Sequence, residues 1–182
     1  MRHRTLVILG HPSPEDSRVN RHLADSVRGL PDVSVRALAA VRGAAGFDVA
    51  AEQEALRAHG TVVLQFPWYW YSVPGILKEW MDQVLTYGFA YGTGGDALQG
   101  KRLLVATSTG APEESYAAAG FNRFTMAELM RPIEATAHLC GMALGTPFVL
   151  HGARAVDDAA LAGHALRYRS MLTGALSGAQ PV

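Results

Sequence analysis

Four aromatic residues stand in a row, Trp68, Tyr69, Trp70 and Tyr71, directly after an apolar stretch that ends at Phe66 and Pro67. Rings of that size in a turn, where water is the usual neighbour, need something flat to cover. Two other stretches carry different groups. His11, Ser17, Arg18, Val19 and Asn20 surround the start of an amphipathic pattern. A helix beginning there turns free N–H groups and the positive end of its dipole toward an anion such as a phosphate. The His11 ring, the Ser17 hydroxyl and the Asn20 amide add donors. The third stretch, Ser108, Thr109, Gly110 and Ala111, is made of small residues that let main chain approach a ligand closely. Its N–H groups can meet the oxygens of a flat heterocycle and stabilise negative charge arising there. Tyr116 follows, with a hydroxyl that can donate to that ring or to a molecule beside it. A phosphate, a flat ring and a polar ring edge together describe a flavin.

Each stretch also has a plainer reading. Ser17 can be a helix cap and His11 a solvent-facing side chain. Trp70 and Tyr71 can pack a subunit interface, which also favours aromatics. Residues 108–111 can be an ordinary strand-to-helix turn, and Tyr116 an amphipathic surface residue.

The elements that must hold these stretches follow from periodicity. Residues 5–9, 33–38, 61–66, 102–107 and 144–150 are short, apolar and β-branched, and read as strands. Val19, Leu23, Val27 and Leu30 recur at helical spacing, which predicts a helix from about 17 to 30. Further helices are expected over 50–59, 74–87, 125–140 and 157–176. Pro132 kinks the helix at 125–140 or moves its start to near Arg131. Asp157 or Asp158 caps the last helix, and 177–182 is a frayed tail. Five strands alternating with helices make an α/β fold: a doubly wound, five-stranded parallel sheet in the flavodoxin-like order 2-1-3-4-5, with helices on both faces. Ligands bind such sheets beyond the carboxyl ends of the strands, near the switch point between strands 1 and 3. Loops 10–17, 67–73 and 108–123 lie at that edge.

Composition narrows the class. The chain has 182 residues, net charge zero and one cysteine, Cys140. One domain is expected over 1–182, with no pull toward nucleic acid or an anionic membrane. No internal disulfide can form, and neither a signal peptide nor an apolar run of about 18 residues is present, so a cytoplasmic location is expected. Gly92-Thr93-Gly94-Gly95-Asp96-Ala97 imitates a dinucleotide fingerprint, but it follows a helix and precedes a strand, the reverse of the required context. Ser108 lacks the G-x-S-x-G frame of a hydrolase elbow. The seven histidines show no zinc-binding spacing, so no metal is expected. Cys140 reads as a small buried hydrophobe, and the pairs Glu15/Asp16 and Glu113/Glu114 as solvated faces.

The block F-P-W-Y-W-Y-S-V-P-G-I-L-K-E-W-M-D over 66–82, followed by G-F-A-Y-G over 88–92, resembles the flavodoxin-like NAD(P)H:quinone oxidoreductase family. With A-A-E-Q-E-A-L at 50–56 and Y-G-T-G-G-D-A-L-Q-G-K at 91–101, it is most similar to the bacterial branch containing the ancillary flavoprotein of the glutathione-gated potassium efflux system. The resemblance covers nearly the whole chain. It implies a flavin-dependent reductase in which NAD(P)H reduces the flavin and leaves, and a quinone then takes its place. His11, Ser17, Arg18, Val19 and Asn20 match the family's phosphate and ribityl loop. Trp68, Tyr69, Trp70 and Tyr71, after Pro67, match its isoalloxazine loop. Ser108, Thr109, Gly110 and Ala111 match its T-T-G-G turn with two conservative changes, and Tyr116 its catalytic tyrosine. Animal members pair that tyrosine with a histidine six residues on, where this chain has Asn122. The short chain points to FMN, with FAD as the alternative. Family members are homodimers, and 74–86 with 88–99 are the contact candidates. The resemblance leaves a second possibility, a regulatory subunit of a membrane potassium-efflux transporter, and a third, a flavin-free scaffold.

Overall fold

The computed structural model describes residues 4–174. The elements run β1 (Thr5–Leu9), α1 (Arg18–Val27), β2 (Val33–Ala37), α2 (Leu38–Val41), α3 (Val49–Arg57), β3 (Thr61–Pro67) and α4 (Gly75–Val84). They continue with β4 (Arg102–Ser108), α5 (Met126–Leu129), α6 (Arg131–Leu139), β5 (Ala143–Leu144), β6 (Phe148–Leu150) and α7 (Asp158–Leu172). The strands form one parallel sheet in the order β2-β1-β3-β4-β5, with β6 also on β4. This is the expected flavodoxin-like doubly wound sheet.

Strand alternation divides the core. Leu6, Ile8, Val62, Leu64, Phe66, Leu103 and Val105 face one layer with Leu56, Leu77 and Trp80. Val7, Val63, Leu104 and Ala106 face the other with Leu23, Val27, Leu161 and Tyr168. Each such side chain contributes about 1.5–3 kcal/mol on burial, so a one-residue slip of a central strand is not viable. In the first layer Glu52 is 1% exposed, holds Arg36 at 2.7 Å and accepts from the Trp80 indole at 3.0 Å. At the edge of the loops, a Cβ on Gly10 would lie 2.9 Å from that of Leu77, so only glycine lets α4 approach the end of β1 so closely.

Some boundaries differ from expectation. The helix expected to reach Leu30 stops at Val27, because Gly29 takes φ 79°. The helix over 74–87 is the shorter α4, and the helix over 125–140 is broken at Met130. Pro132, which has no N–H to give, sits in the first turn of α6, where none is needed. The strand at 33–38 alternates in residue type but not in burial, and it ends at Ala37. It is an edge strand, half-buried throughout, and Leu38 already belongs to α2.

The strand at 144–150 is two pieces. Leu144 pairs with Leu103 but Phe148 with Ala106, so one extra residue is bulged out across 145–147. Pro147 cannot donate to the ladder there. The Gly92–Ala97 fingerprint lies between α4 and β4, and its glycines serve turns: Gly92 and Gly94 have positive φ, and a Cβ on Gly95 would collide with the Tyr91 backbone. Asp157 caps α7, accepting from Ala160 N–H at 2.7 Å. The tail at 177–182 lies outside the described residues.

Beneath the loops, a polar chain crosses the second layer. Gln65 is fully buried. Its amide donates to the Asn20 carbonyl at 2.8 Å and its side-chain oxygen accepts from the Tyr168 hydroxyl at 3.1 Å. Its own carbonyl accepts from Gly10 N–H at 2.8 Å. Burial raises the Tyr168 pKa, so this hydroxyl stays a donor. Gln65→Leu strands the Tyr168 hydroxyl and the Asn20 carbonyl. It should cost roughly 2–4 kcal/mol in urea unfolding, and an unchanged midpoint would rule out the tie.

Candidate functional site

The three loops meet at the carboxyl edge of β1, β3 and β4. His11 is 9% exposed, which removes the solvent-facing reading. Ser13 N–H donates to its Nδ1 at 3.1 Å, so in the neutral ring the proton sits on Nε2. Burial lowers the His11 pKa, against the opposing pull of Glu15 and Asp16. His11 is therefore a neutral N–H donor. Ser17 is the helix cap, its Oγ accepting from Asn20 N–H at 3.1 Å. The Arg18 guanidinium turns away to the Val156 carbonyl at 2.7 Å and Asp158 at 2.5 Å. Val19 is core. The Asn20 amide donates to Ser108 Oγ at 3.0 Å, and its buried Oδ1 meets no partner. The side-chain donors expected of Arg18 and Asn20 are thus spent on the scaffold. Among the described residues the N–H groups of Arg18 and Val19 meet no partner.

In the second loop, Pro67 ends β3 opposite Ser108. Trp68 N–H donates to the Ser108 carbonyl at 2.8 Å. Its ring stacks on Phe66 at 5.8 Å and is 8% exposed, so Trp68 belongs to the core and offers no open ring face. Its buried indole N–H has no partner. Tyr69 and Ser72 exchange both backbone hydrogen bonds, at 3.1 and 3.0 Å. Between them Trp70 and Tyr71 have φ 48° and 60°. This is a type I′ turn, which normally carries Asn-Gly. Two large side chains in the left-handed region cost about 1–2 kcal/mol each. The Tyr69 ring faces His11 edge-on at 6.3 Å. Trp70 is 93% exposed, and the Tyr71 hydroxyl donates to Asn122 Oδ1 at 3.1 Å.

In the third loop, Ser108 and Thr109 are buried. Thr109 N–H donates to the Leu150 carbonyl at 2.9 Å, so it is not available to a ligand as the sequence suggested. The N–H groups of Gly110 and Ala111 are unpaired. Gly110 is exposed, and a Cβ there would meet only Arg154, with Nε at 3.5 Å. Tyr116 lies against the ring of His151, 5.3 Å between centroids.

The loops are joined to one another by His11–Tyr69, Trp68–Ser108, Asn20–Ser108 and Tyr71–Asn122. Among the described residues, the main-chain donors left unpaired at this edge include Arg18 and Val19 at the start of α1, Trp70 and Tyr71, and Gly110 and Ala111. Donors of that kind, beside a strained aromatic turn and the orphaned Trp68 N–H, Asn20 Oδ1 and Asn122 Nδ2, suit an anionic, flat, polar-edged ligand. FMN has that chemistry. His151, Arg154 and Gln65 escaped the sequence reading. The signal for the first two was topological, since they follow the last strand at the same edge. A small apolar cavity of about 20 Å³ beside Trp80 and Cys140 has room for about one water and no polar lining. Burial there raises the Cys140 pKa, in keeping with an inert thiol. Among the described residues no helix is long and apolar enough to cross a membrane.

The chain belongs to the flavodoxin-like fold family, whose profile matches residues 3–172. It is 43% identical over 170 residues to an uncharacterized NAD(P)H oxidoreductase, YdeQ, of Bacillus subtilis, covering 93% of this chain and 86% of that one. It is 40% identical to the glutathione-regulated potassium-efflux system ancillary protein KefG of Cronobacter sakazakii, covering 96% and 95%. Among solved structures, general stress protein 14 of Treponema denticola, in complex with FMN, matches with TM-score 0.86 and 40% identity over 96% and 98% of the two chains. An NADPH-quinone reductase of P. pentosaceus matches with 0.84 and 32% over 92% and 96%. A chain described as a thermophilic tryptophan halogenase from Streptomycin violaceusniger matches with 0.89 and 43% over 92% and 97%.

The turn at 69–72 yields a test. Trp70→Asn with Tyr71→Gly removes the strain and should raise unfolding stability by about 1–3 kcal/mol while weakening ligand binding. Unchanged or lower stability would show that the rings, not the ligand, hold the turn.

Proposed function

We propose that this protein is an FMN-dependent NAD(P)H:quinone oxidoreductase. The observation that carries it is the convergence of unpaired N–H groups, among them those of Arg18, Val19, Trp70, Tyr71, Gly110 and Ala111, where three joined loops meet. Bound FMN would accept a hydride from NAD(P)H and deliver it to a quinone, in two half-reactions that use one place in turn. The residues supply position and charge. Arg18 and Val19 N–H with His11 Nε2–H hold the phosphate at the start of α1. Trp70 and Tyr71 N–H meet the ring along one edge, and Tyr69 borders it beside His11. Gly110 and Ala111 N–H would meet the pyrimidine oxygens and stabilise charge arising there. Tyr116 donates from its hydroxyl to the acceptor, its ring held against His151. The quinone needs one proton with the hydride; the Tyr116 hydroxyl would pass it and be reprotonated from solvent. The FMN complex and the reductase and oxidoreductase names among the relatives support this reading; the halogenase name does not.

The chain also makes a homodimer in this reading. Trp70 at 93% and Phe121 at 88% exposure lie on the linked loops 67–73 and 108–123. Rings so exposed at a site edge fit a subunit contact that completes the site. Within the other candidate stretch 88–99, Phe89, Ala90 and Leu98 are used in this chain's own core, and Tyr87 beside it is exposed. The KefG relative favours a second reading, an ancillary subunit of a potassium-efflux transporter. Sedimentation should give twice the 19.5 kDa chain mass, and Phe121→Asp should return a monomer. A wild-type monomer would exclude the dimer and leave the exposed rings to a heterologous partner.

Absorbance of the purified protein tests the enzyme reading. A flavin band that bleaches with NAD(P)H and returns with quinone is expected, with FMN released on heating. Gly110→Leu should abolish FMN uptake while urea stability stays within about 0.5 kcal/mol, because Gly110 is exposed and a Cβ there meets only the Arg154 side chain. A Gly110→Leu variant that still binds FMN would displace the site.

A further inference from the structure

His151 follows β6 directly, at the edge the three loops share. Its Nδ1 lies 3.0 Å from Thr109 Oγ1. That hydroxyl is also 2.8 Å from the Ala111 carbonyl, which can only accept. The one hydroxyl hydrogen goes to Ala111, so the hydrogen between Thr109 and His151 must sit on Nδ1. Nε2 is then a bare lone pair in the neutral ring, the opposite tautomer from His11. The other contact of the imidazole is the Tyr116 ring, at 5.3 Å and an angle of 39°. Among the described residues Tyr116 has no other ring contact, and its own N–H donates to the Glu113 carbonyl. The backbone around His151 is laced to the same turn. Thr109 N–H reaches Leu150, Gly152 N–H reaches Ala111 at 3.0 Å, and Ala153 N–H reaches Thr109 at 2.8 Å. The bulge at 145–147 shifts β6 by one residue against β4 and thereby sets which side His151 takes.

We propose that His151 is a positioning residue of the redox site, clamping the Ser108–Ala111 turn and the Tyr116 ring to one another. The proposal rests on the reading that a flavin lies on that turn. A ring held by Gly110 and Ala111 and an acceptor resting against Tyr116 must keep about 3–3.5 Å between reacting atoms, and a 1 Å error costs on the order of a hundredfold in rate. One imidazole that touches both supports sets that spacing. Burial keeps His151 neutral below its usual range, against the opposing pull of Glu113 and Glu114, with Arg154 charged on the same loop beside Gly110. Protonation would add a hydrogen at Nε2 and leave Nδ1–H in place, so the clamp holds in both states.

Three variants separate the two contacts. His151→Phe keeps a ring against Tyr116 and loses the donor to Thr109. His151→Asn keeps a donor and loses the ring. His151→Ala loses both. In the FMN-free wild type, nitrogen NMR should show an Nδ1–H tautomer for His151 and a ring-to-ring cross-peak with Tyr116. In the loaded enzyme, the quinone half-reaction should slow about tenfold in the Ala variant and by less in the Phe and Asn variants, each of which keeps one contact, while bleaching by NAD(P)H stays within about twofold. An Nε2–H tautomer, a missing cross-peak, or an Ala variant as fast as wild type in the quinone half-reaction would overturn the clamp. A wild type that takes up no FMN would instead overturn the flavin reading, with the tautomer and cross-peak still deciding whether the clamp exists.

Discussion

A buried amide ties the candidate site to its scaffold. Gln65 stands on the sheet face where Val63 and its neighbours are apolar, and it cannot be left unpaired there. Tyr168 on α7 and the Asn20 carbonyl on α1 satisfy it, and Asn20 in turn reaches Ser108 at the end of β4. Four elements are thus joined by hydrogen bonds that have no water to replace them. Hydrophobic contacts alone would allow α1 to slide on the sheet by small amounts. A polar chain of this kind does not, because every displacement strands a donor or an acceptor. The start of α1 and the turn after β4 are the two places that such a slide would disturb most.

The donors offered at that edge are main chain. This accounts for residue types that look unpromising as chemistry: Val19, Gly110 and Ala111 carry no functional side chain, yet their N–H groups are left free at the rim of a rigid sheet. It also explains why polar residues nearby have structural roles. Ser17 caps a helix, Arg18 binds the start of α7, and Thr109 closes its own turn. Fixed dipoles need no reorganisation when charge develops beside them. The strain in Trp70 and Tyr71 fits the same arrangement, since a turn that would be more stable as Asn-Gly instead keeps two rings at the edge.

Much of this was legible in the sequence. Short β-branched runs alternating with amphipathic stretches leave few topologies for a chain of this length, and the sheet order followed. The position of the site followed from topology, and the aromatic run marked it. Side-chain roles were less legible. Trp68 looked like part of a ligand face and is core, because a strand-end residue of that size finds Phe66 next to it. Arg18 looked like an anion ligand and pairs with Asp158, a partner 140 residues away. No local pattern reveals such a pairing.

The amino-acid order by itself determined the fold class, the carboxyl-edge location and the three loops, because periodicity, small residues and aromatic clustering are local properties. Tertiary structure decided which donors are free, which rings are open and which histidine carries its proton on which nitrogen. Those depend on groups brought together from distant parts of the chain: Thr109 with His151, Tyr71 with Asn122, Gln65 with Tyr168. The bulge before β6 shows the physical reason most simply. One residue of ladder offset, invisible in composition or spacing, turns every following side chain to the opposite side, and with it His151.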